Sequence, residues 1–204
     1  MKTKVSTIAT AGILTALTFL LGMTPLGIIP LGFINVTIMC LPVIIGTLTV
    51  GPKIGGILGL CFGVASTLSA FGLSLVPTSA LVSTLMGASP LLVVVMSILP
   101  RAIFPLVAYV VYQVVSDRGQ MRRRLAIGLA AAAGSLTNTI LYLGMMLLFF
   151  ALTGLDSAVV LGVISGTGFI AGSLEAVAAV LICLPVVLAV RKKPAFEKMS
   201  GQVS

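Results

Sequence analysis

Apolar runs close to the roughly 20 helical residues needed to cross a bilayer core of about 30 Å recur through this sequence and exclude most water-soluble folds. They read as residues 5–23, 33–50, 54–73, 91–115, 125–152 and 163–190. Little charge interrupts them: 8% of residues are charged and 59% hydrophobic, and the mean hydropathy is +1.27. With no water in the bilayer core to satisfy backbone polar groups, such runs must be helices. The expected fold is all-α, a polytopic six-transmembrane-helix bundle forming a single membrane domain over residues 1–204.

Orientation follows from Lys and Arg, because short loops rich in them stay on the cytoplasmic side. With both termini cytoplasmic, Lys2, Lys4, Lys53, Arg118, Arg122, Arg123, Arg124, Arg191, Lys192, Lys193 and Lys198 all fall inside, which leaves Arg101 as the exception among twelve basic residues. The outer connections 24–32, 74–90 and 153–158 carry no basic residue and only Asp156. An odd number of spans would put Lys53 or the Arg122 to Arg124 cluster outside. The net charge of +8 is therefore explained by anionic lipid headgroups at the inner ends of helices, and no nucleic-acid partner is expected. The Met1, Lys2, Thr3, Lys4 start looks like a signal peptide, but the apolar run after it is long and lacks a small-x-small cleavage site, so it reads as an uncleaved first span.

Three strongly polar side chains lie deep inside apolar runs: Arg101, Asn138 and Glu175. Counting from the outer end of each span places Arg101 about eleven residues down, roughly 16 Å at 1.5 Å per residue. Asn138 and Glu175 fall at similar depths on the fifth and sixth spans. An Arg at the bilayer centre costs at least about 2.5–3.5 kcal/mol on insertion scales, so such residues face a cavity or a partner. Two readings stay open: an Arg101–Glu175 ion pair that only holds two helices together, or a binding site in which at least two of the three touch a ligand. Pro100 and Pro105 bracket Arg101, and each removes a backbone donor and frees a carbonyl in the preceding turn. Irregular helix at membrane depth tends to line a cavity. Asn35 and Thr37, at the outer mouth of the second span, are further candidates, with capping as the alternative.

Connection 74–90 is long and uncharged, and rich in Ser, Thr and apolar residues, which suits either a gate over the site or a plain surface loop. The segment with Pro25, Gly27, Pro30 and Gly32 would form the opposite lip. Gly51, Gly55, Gly59 and Gly63 recur every four residues along the third span and require a closely packed neighbour, within the bundle or from another subunit. On the first span, Gly12 and Ala16 form a small-xxx-small pair whose partner could be external. Cys40, Cys61 and Cys183 are odd in number and scattered through apolar runs, so neither disulfide nor metal site is expected. No His and no intramembrane Asp are present, which removes the serine, zinc and aspartyl chemistries of intramembrane proteases. No enzyme activity and no cofactor are expected.

Several stretches together resemble a known family. Ile29, Pro30, Leu31, Gly32, Phe33, Ile34, Asn35, Val36, Thr37, Ile38, Met39 are followed by Leu41, Pro42, Val43, Ile44, Ile45, Gly46, and by Gly51, Pro52, Lys53, Ile54, Gly55, Gly56, Ile57, Leu58, Gly59, Leu60. With Leu99, Pro100, Arg101, with Thr137, Asn138, Thr139, and with the turn of Glu175, they look like the substrate-binding S components of energy-coupling-factor (ECF) vitamin transporters, most similar to the pantothenate-type branch. The resemblance implies a bacterial cell-membrane protein that binds a vitamin in an outward-facing pocket. It also implies delivery through a transmembrane T component driven by two cytoplasmic ATPase subunits. Docking on that T component would use small residues of the first helix, here Gly12 and Ala16, where the family usually has Ala-xxx-Ala. The chain itself has no phosphate-binding loop with a Gly-Lys-Ser/Thr ending, so ATP chemistry would reside in the partners.

The residue types narrow the ligand. Flat heteroaromatic vitamins need stacking partners, yet there is no Trp, and the aromatic residues near the site are few: Phe104, Tyr142 and Phe169. A guanidinium that binds a carboxylate in bidentate fashion and an amide that both donates and accepts suit a compact flexible acid, pantothenate first, with other small acids or a pyrimidine precursor also admissible. The competing expectation is a self-sufficient secondary transporter of a small organic acid, in which a buried Glu175 carries protons, although no inverted repeat is evident.

Overall fold

The computed structural model describes residues 2–30, 35–116 and 120–191, with only the backbone given for 2–7, 28–30, 35–37, 120, 121, 167 and 191. In chain order the elements are α1 (Lys2–Met23), β1 (Ile28–Pro30), β2 (Asn35–Thr37), α2 (Cys40–Thr49), α3 (Pro52–Ala70) and α4 (Ala80–Ala88). They continue with α5 (Pro90–Val115), α6 (Gln120–Leu152), α7 (Ser157–Val163), a π-helical turn (Ile164–Gly168) and α8 (Phe169–Arg191). The all-helical expectation holds, with one small addition: β1 and β2 pair antiparallel, Ile28 with Thr37 and Pro30 with Asn35.

Among the described residues, four helices are long and apolar enough to cross a membrane: α3, α5, α6 from Arg122 and α8 to Val190. Shorter apolar helices cover Ile8–Met23, Cys40–Thr49 and Ser157–Gly166. The run 33–50, expected as one full span, is not a single helix. Its first part is strand β2, residues 31–34 lie outside the described residues, and α2 has 10 residues, only about 15 Å at 1.5 Å each. The reason is burial. Every residue of α2 except Ile45 is buried, and α2 touches α1, α3, α5, α6 and α8. A helix apolar all round belongs in a core, and hydropathy alone does not separate that from contact with lipid. Connection 74–90 also departs from a plain loop, because α4 occupies its second half and buries Leu81, Val82 and Leu85.

Around α2 the longer helices pack in the sequence α1 on α3, α3 on α5, α5 on α6 and α6 on α8. The α5 pattern shows how the chain separates inside from outside. Val93, Met96, Ser97, Pro100, Arg101, Phe104, Pro105, Ala108 and Tyr112 are buried, the i, i+3, i+4, i+7 spacing of one helix face. Leu91, Val95, Leu99, Leu106, Val110 and Val114 point outward. Arg101 is thus in the inward stripe, and its flanking prolines lie in it too.

Helices in lipid associate through close packing, since lipid tails are as apolar as Leu. The glycines of α3 serve that approach inside this bundle. A Cβ at Gly59 would collide with the Arg101 carbonyl and touch Pro105, one at Gly63 would press on the backbone of Ile98, and one at Gly55 would strike Thr47 of α2. Gly51 closes the tight corner between α2 and α3 at φ 129°, a backbone geometry that residues with a Cβ rarely adopt, and Pro52 follows at the first turn of α3 where its missing N–H costs nothing.

This packing makes a paired test. Gly59→Ala forces α3 off the Arg101 backbone and should destabilise the protein by about 1–3 kcal/mol as overpacking does, whereas Gly56→Ala, with open space around its Cβ position, should be neutral or stabilising by up to about 1 kcal/mol. Thermal unfolding of both variants in the same detergent is the measurement, and equal midpoints would contradict the close α3–α5 contact.

Candidate functional site

A cavity of about 80 Å³ opens between α3, α5, α6 and α8. A water needs only about 10–15 Å³ on this measure, so the space is a chamber and not a packing flaw. Arg101, Asn138 and Glu175 all line it. Depth counting along three separate spans therefore named side chains that share one chamber. The hairpin residues are a different case: the backbone of Asn35 and Thr37 is paired in β2, and their side chains lie outside what the structure describes.

Arg101 is 4% exposed, so its charge must be met by the protein or by something in the chamber. Its Nη1 donates to the Met96 carbonyl at 3.0 Å. That carbonyl is the one that Pro100, lacking an N–H, cannot bond four residues on. The guanidinium carbon sits 4.3 Å from the Tyr142 ring centroid and 5.2 Å from that of Phe62. Both distances lie within the reach of about 6 Å at which a ring quadrupole attracts a cation. Phe62 is in turn held edge-on by Phe104, with centroids 6.2 Å apart and planes at 80°. Arg101 Nε has no hydrogen-bond partner in the protein.

Asn138 is 5% exposed, and its Oδ1 likewise has no partner in the protein. Tyr142 lies one turn further along α6 on the same face, and Thr139 is adjacent; both line the chamber. Thr139 Oγ1 donates to Glu175 Oε2 at 2.8 Å and approaches the Ser135 carbonyl at 3.2 Å. The carboxylate is thereby tied to α6 while remaining on the chamber wall. Opposite these groups the lining is hydroxyl-rich, with Ser66 and Ser69 from α3, Thr78 and Ser79 from the connection before α4, and Ser97 from α5. The π turn and the start of α8 contribute Gly168, Ala171 and Gly172, small residues that leave room at that end.

Connection 74–90, expected as a gate or a surface loop, supplies Thr78 and Ser79, whereas Ser66, Ser69 and Ser97 and the contact of Thr139 with Glu175 were not anticipated, although spacing held part of the signal: Ser97 is one turn before Arg101, and Ser66 and Ser69 are three apart. Of the aromatic candidates, Tyr142 reaches the chamber and Phe104 supports it from behind, while Phe169 is 78% exposed and points away. Gly12 and Ala16 of α1 are distant from the chamber in another sense. Both are exposed, together with Ile8, Ile13, Leu17 and Leu20, while Leu14 and Thr18 face the bundle. Nothing lies within 4 Å of a Cβ built on Gly12.

Chemically, the chamber presents a fixed cation with a free donor, a buried acceptor, a carboxylate and a row of hydroxyls. No group of three or more His, Cys, Asp or Glu able to hold a metal occurs among the described residues.

Comparison with known proteins identifies the family. The family model described as ECF transporter, substrate-specific component, matches residues 6–187, a range that contains every chamber residue as well as Gly12 and Ala16. The chain is also similar to the pantothenic acid transporter PanT of Lactococcus lactis subsp. cremoris (strain MG1363), with 36% identity over 123 residues. That match covers 57% of this chain and 59% of the relative, so it spans less than two thirds of the relative's length.

The Thr139 hydroxyl joins α6 to α8 through a charge-assisted bond, a type worth about 1.5–3 kcal/mol when buried; with Glu175 partly exposed, about 1 kcal/mol is the expected contribution. Thr139→Val should lower the unfolding free energy by that amount and Thr139→Ser should retain it, as read by thermal unfolding in detergent.

Proposed function

Because the chain belongs to the substrate-specific components of ECF transporters, we propose that it captures pantothenate, or a closely similar small hydroxy-amide acid, from outside a bacterial plasma membrane. Family membership makes it a transporter component and not an enzyme. One observation supports this ligand: Arg101 and Asn138 line the same cavity, and each keeps a buried polar atom, the donor Nε and the acceptor Oδ1, that has no partner within the protein. An unmade buried hydrogen bond costs about 1–3 kcal/mol per group, so a fitting ligand must bring an anionic acceptor for the one and an O–H or N–H for the other. A plain fatty acid supplies only the first. Pantothenate has one carboxylate, two hydroxyls and an amide, which match Arg101, the Ser and Thr wall, and Asn138 with Glu175. The name of the Lactococcus relative points to the same ligand.

In this reading the membrane is crossed six times, with both termini cytoplasmic. α1, α3, α5, α6 and the α7–α8 unit make five crossings, and the hairpin with α2 makes the other. The Lys and Arg distribution supports these sides, because Lys53 at the start of α3 and Arg122, Arg123 and Arg124 at the start of α6 would share the cytoplasmic face. Asn35 and Thr37 would lie at the outer mouth and add to ligand contact. Energy would come from a T component and two cytoplasmic ATPase subunits, docked on the exposed Gly12 and Ala16 face of α1, where two helices can approach closely.

Two outcomes are expected. Purified protein binds pantothenate without ATP, and Arg101→Ala weakens binding about 30- to 800-fold, equivalent to about 2–4 kcal/mol; Asn138→Ala costs about tenfold, the worth of one or two neutral hydrogen bonds. Titration calorimetry in detergent reads both, and unchanged affinity in a folded Arg101→Ala protein would reduce Arg101 to helix pairing.

Ala16→Leu and Gly12→Val should leave that affinity intact while abolishing co-purification with the T component and its ATPases, and uptake with it. Uptake into liposomes that contain this chain alone would instead establish a secondary transporter.

A further inference from the structure

We infer that Pro100 is a positioning residue for Arg101: by withholding a backbone donor it leaves the Met96 carbonyl as the seat of the guanidinium, and that seat makes the chamber select a carboxylate over a neutral group of similar shape. The inference rests on the chamber being the binding site for a small acid.

In an uninterrupted helix the N–H of residue 100 would bond the Met96 carbonyl. Proline has no N–H, so the carbonyl is open. Long side chains on a helix lean toward its N-terminus over the preceding turn, and an Arg immediately after the proline is placed to reach that oxygen. Its Nη1 does so at 3.0 Å. The order Pro-Arg is therefore not incidental, because the vacated acceptor and the donor that fills it are supplied by adjacent residues of one helix.

The remaining contacts fix what the carbonyl leaves free. Tyr142 and Phe62 lie within 4.3 and 5.2 Å of the guanidinium carbon. The backbone of Arg101 is fixed by the same device repeated. Pro105 withholds the donor that would meet the Arg101 carbonyl, and Gly59 of α3 packs against that oxygen where any Cβ would clash. A Cα–H contact there is a weak but favourable substitute. With Nη1 committed to Met96, Arg101 lines the cavity with its Nε buried and unpartnered within the protein. An anion that meets it encounters a charge already held in place and loses little on ordering the side chain.

The test compares pantothenate with its alcohol analogue, in which CH2OH replaces the carboxylate, by calorimetry on the purified full chain in detergent. Wild type should prefer the acid. Pro100→Ala introduces an N–H that competes for the Met96 carbonyl, and should reduce the acid-to-alcohol preference about tenfold, the scale of a lost charge-assisted hydrogen bond, without lowering thermal stability. Pro100→Gly supplies the same N–H and should give the same change, which keeps the test available if one variant does not accumulate. In an Arg101→Ala background, Pro100→Ala should leave the preference where Arg101→Ala alone puts it, since residues acting through one contact are not additive. Equal weakening of acid and alcohol, an unchanged preference, or an equal effect with and without Arg101 would each overturn the positioning role. Failure of wild type to prefer the acid would overturn the acid-site reading itself, and this inference with it.

Discussion

A guanidinium enclosed by the bundle is the constraint around which the middle of this protein is arranged. At bilayer depth a bare Arg costs at least about 2.5–3.5 kcal/mol, and the neighbouring elements each offset part of that. α5 offers the Met96 carbonyl, α6 offers the face of Tyr142, and α3 offers that of Phe62. These requirements propagate outward. To bring Phe62 near Arg101, α3 must pack hard on α5, which the small residues Gly59 and Gly63 allow. To leave a carbonyl for the side chain, α5 must lose a helical hydrogen bond, which Pro100 ensures. A proline inside a helix ordinarily costs about 3 kcal/mol or more, and membrane helices tolerate it where side chains re-satisfy the freed group. Here the side chain that does so is the one carrying the charge.

Much of this was legible in the residues. Lys and Arg placement and run lengths locate α1, α3, α5, α6 and α8 to within a few residues, except that α6 begins at Gln120 and the last apolar unit at Ser157, both earlier than expected. The Arg101, Asn138 and Glu175 set was found because depth in a membrane helix is a one-dimensional count. Azimuth is a second coordinate, fixed by the 3.6-residue turn. Asn138 to Tyr142 and Ser97 to Arg101 are each one helical turn, so Ser97 was readable as a companion of the polar set by the same spacing that puts Tyr142 there. The Thr139 bond to Glu175 was not, because it joins positions 36 apart on different helices.

The departure of 33–50 from a single span has a physical origin that the short helix within connection 74–90 shares. Hydropathy reports that a segment avoids water, and it is silent on whether lipid or protein replaces the water. Cys40 to Thr49 is apolar because five helices surround it, and Ala80 to Ala88 is apolar because Leu81, Val82 and Leu85 pack onto α5 and α6 in a second core cluster. Length is the discriminating quantity in both cases. A 10-residue helix and a 9-residue helix fall well short of the roughly 20 residues that a crossing requires, and only the structure shows where each one ends.

Separation of the chamber from the outer face of α1 bears on how capture and delivery would be linked. Among the described residues, none of α1 lines the chamber, while Ile8, Ile13, Leu17 and Leu20 flank Gly12 and Ala16 on the side facing away from the bundle. α1 packs mainly on α3 and α2. Of these, α3 carries Ser66 and Ser69 into the chamber and seats Gly59 on the Arg101 backbone. A ligand-dependent change at a partner docked on α1 would therefore be relayed through α3, through the α2 core or through the connection before α4, whose Leu75 N–H bonds the Met23 carbonyl. Gly59 and Gly63 hold α3 directly against α5, so α3 is the element through which a change at Arg101 would reach α1 most directly.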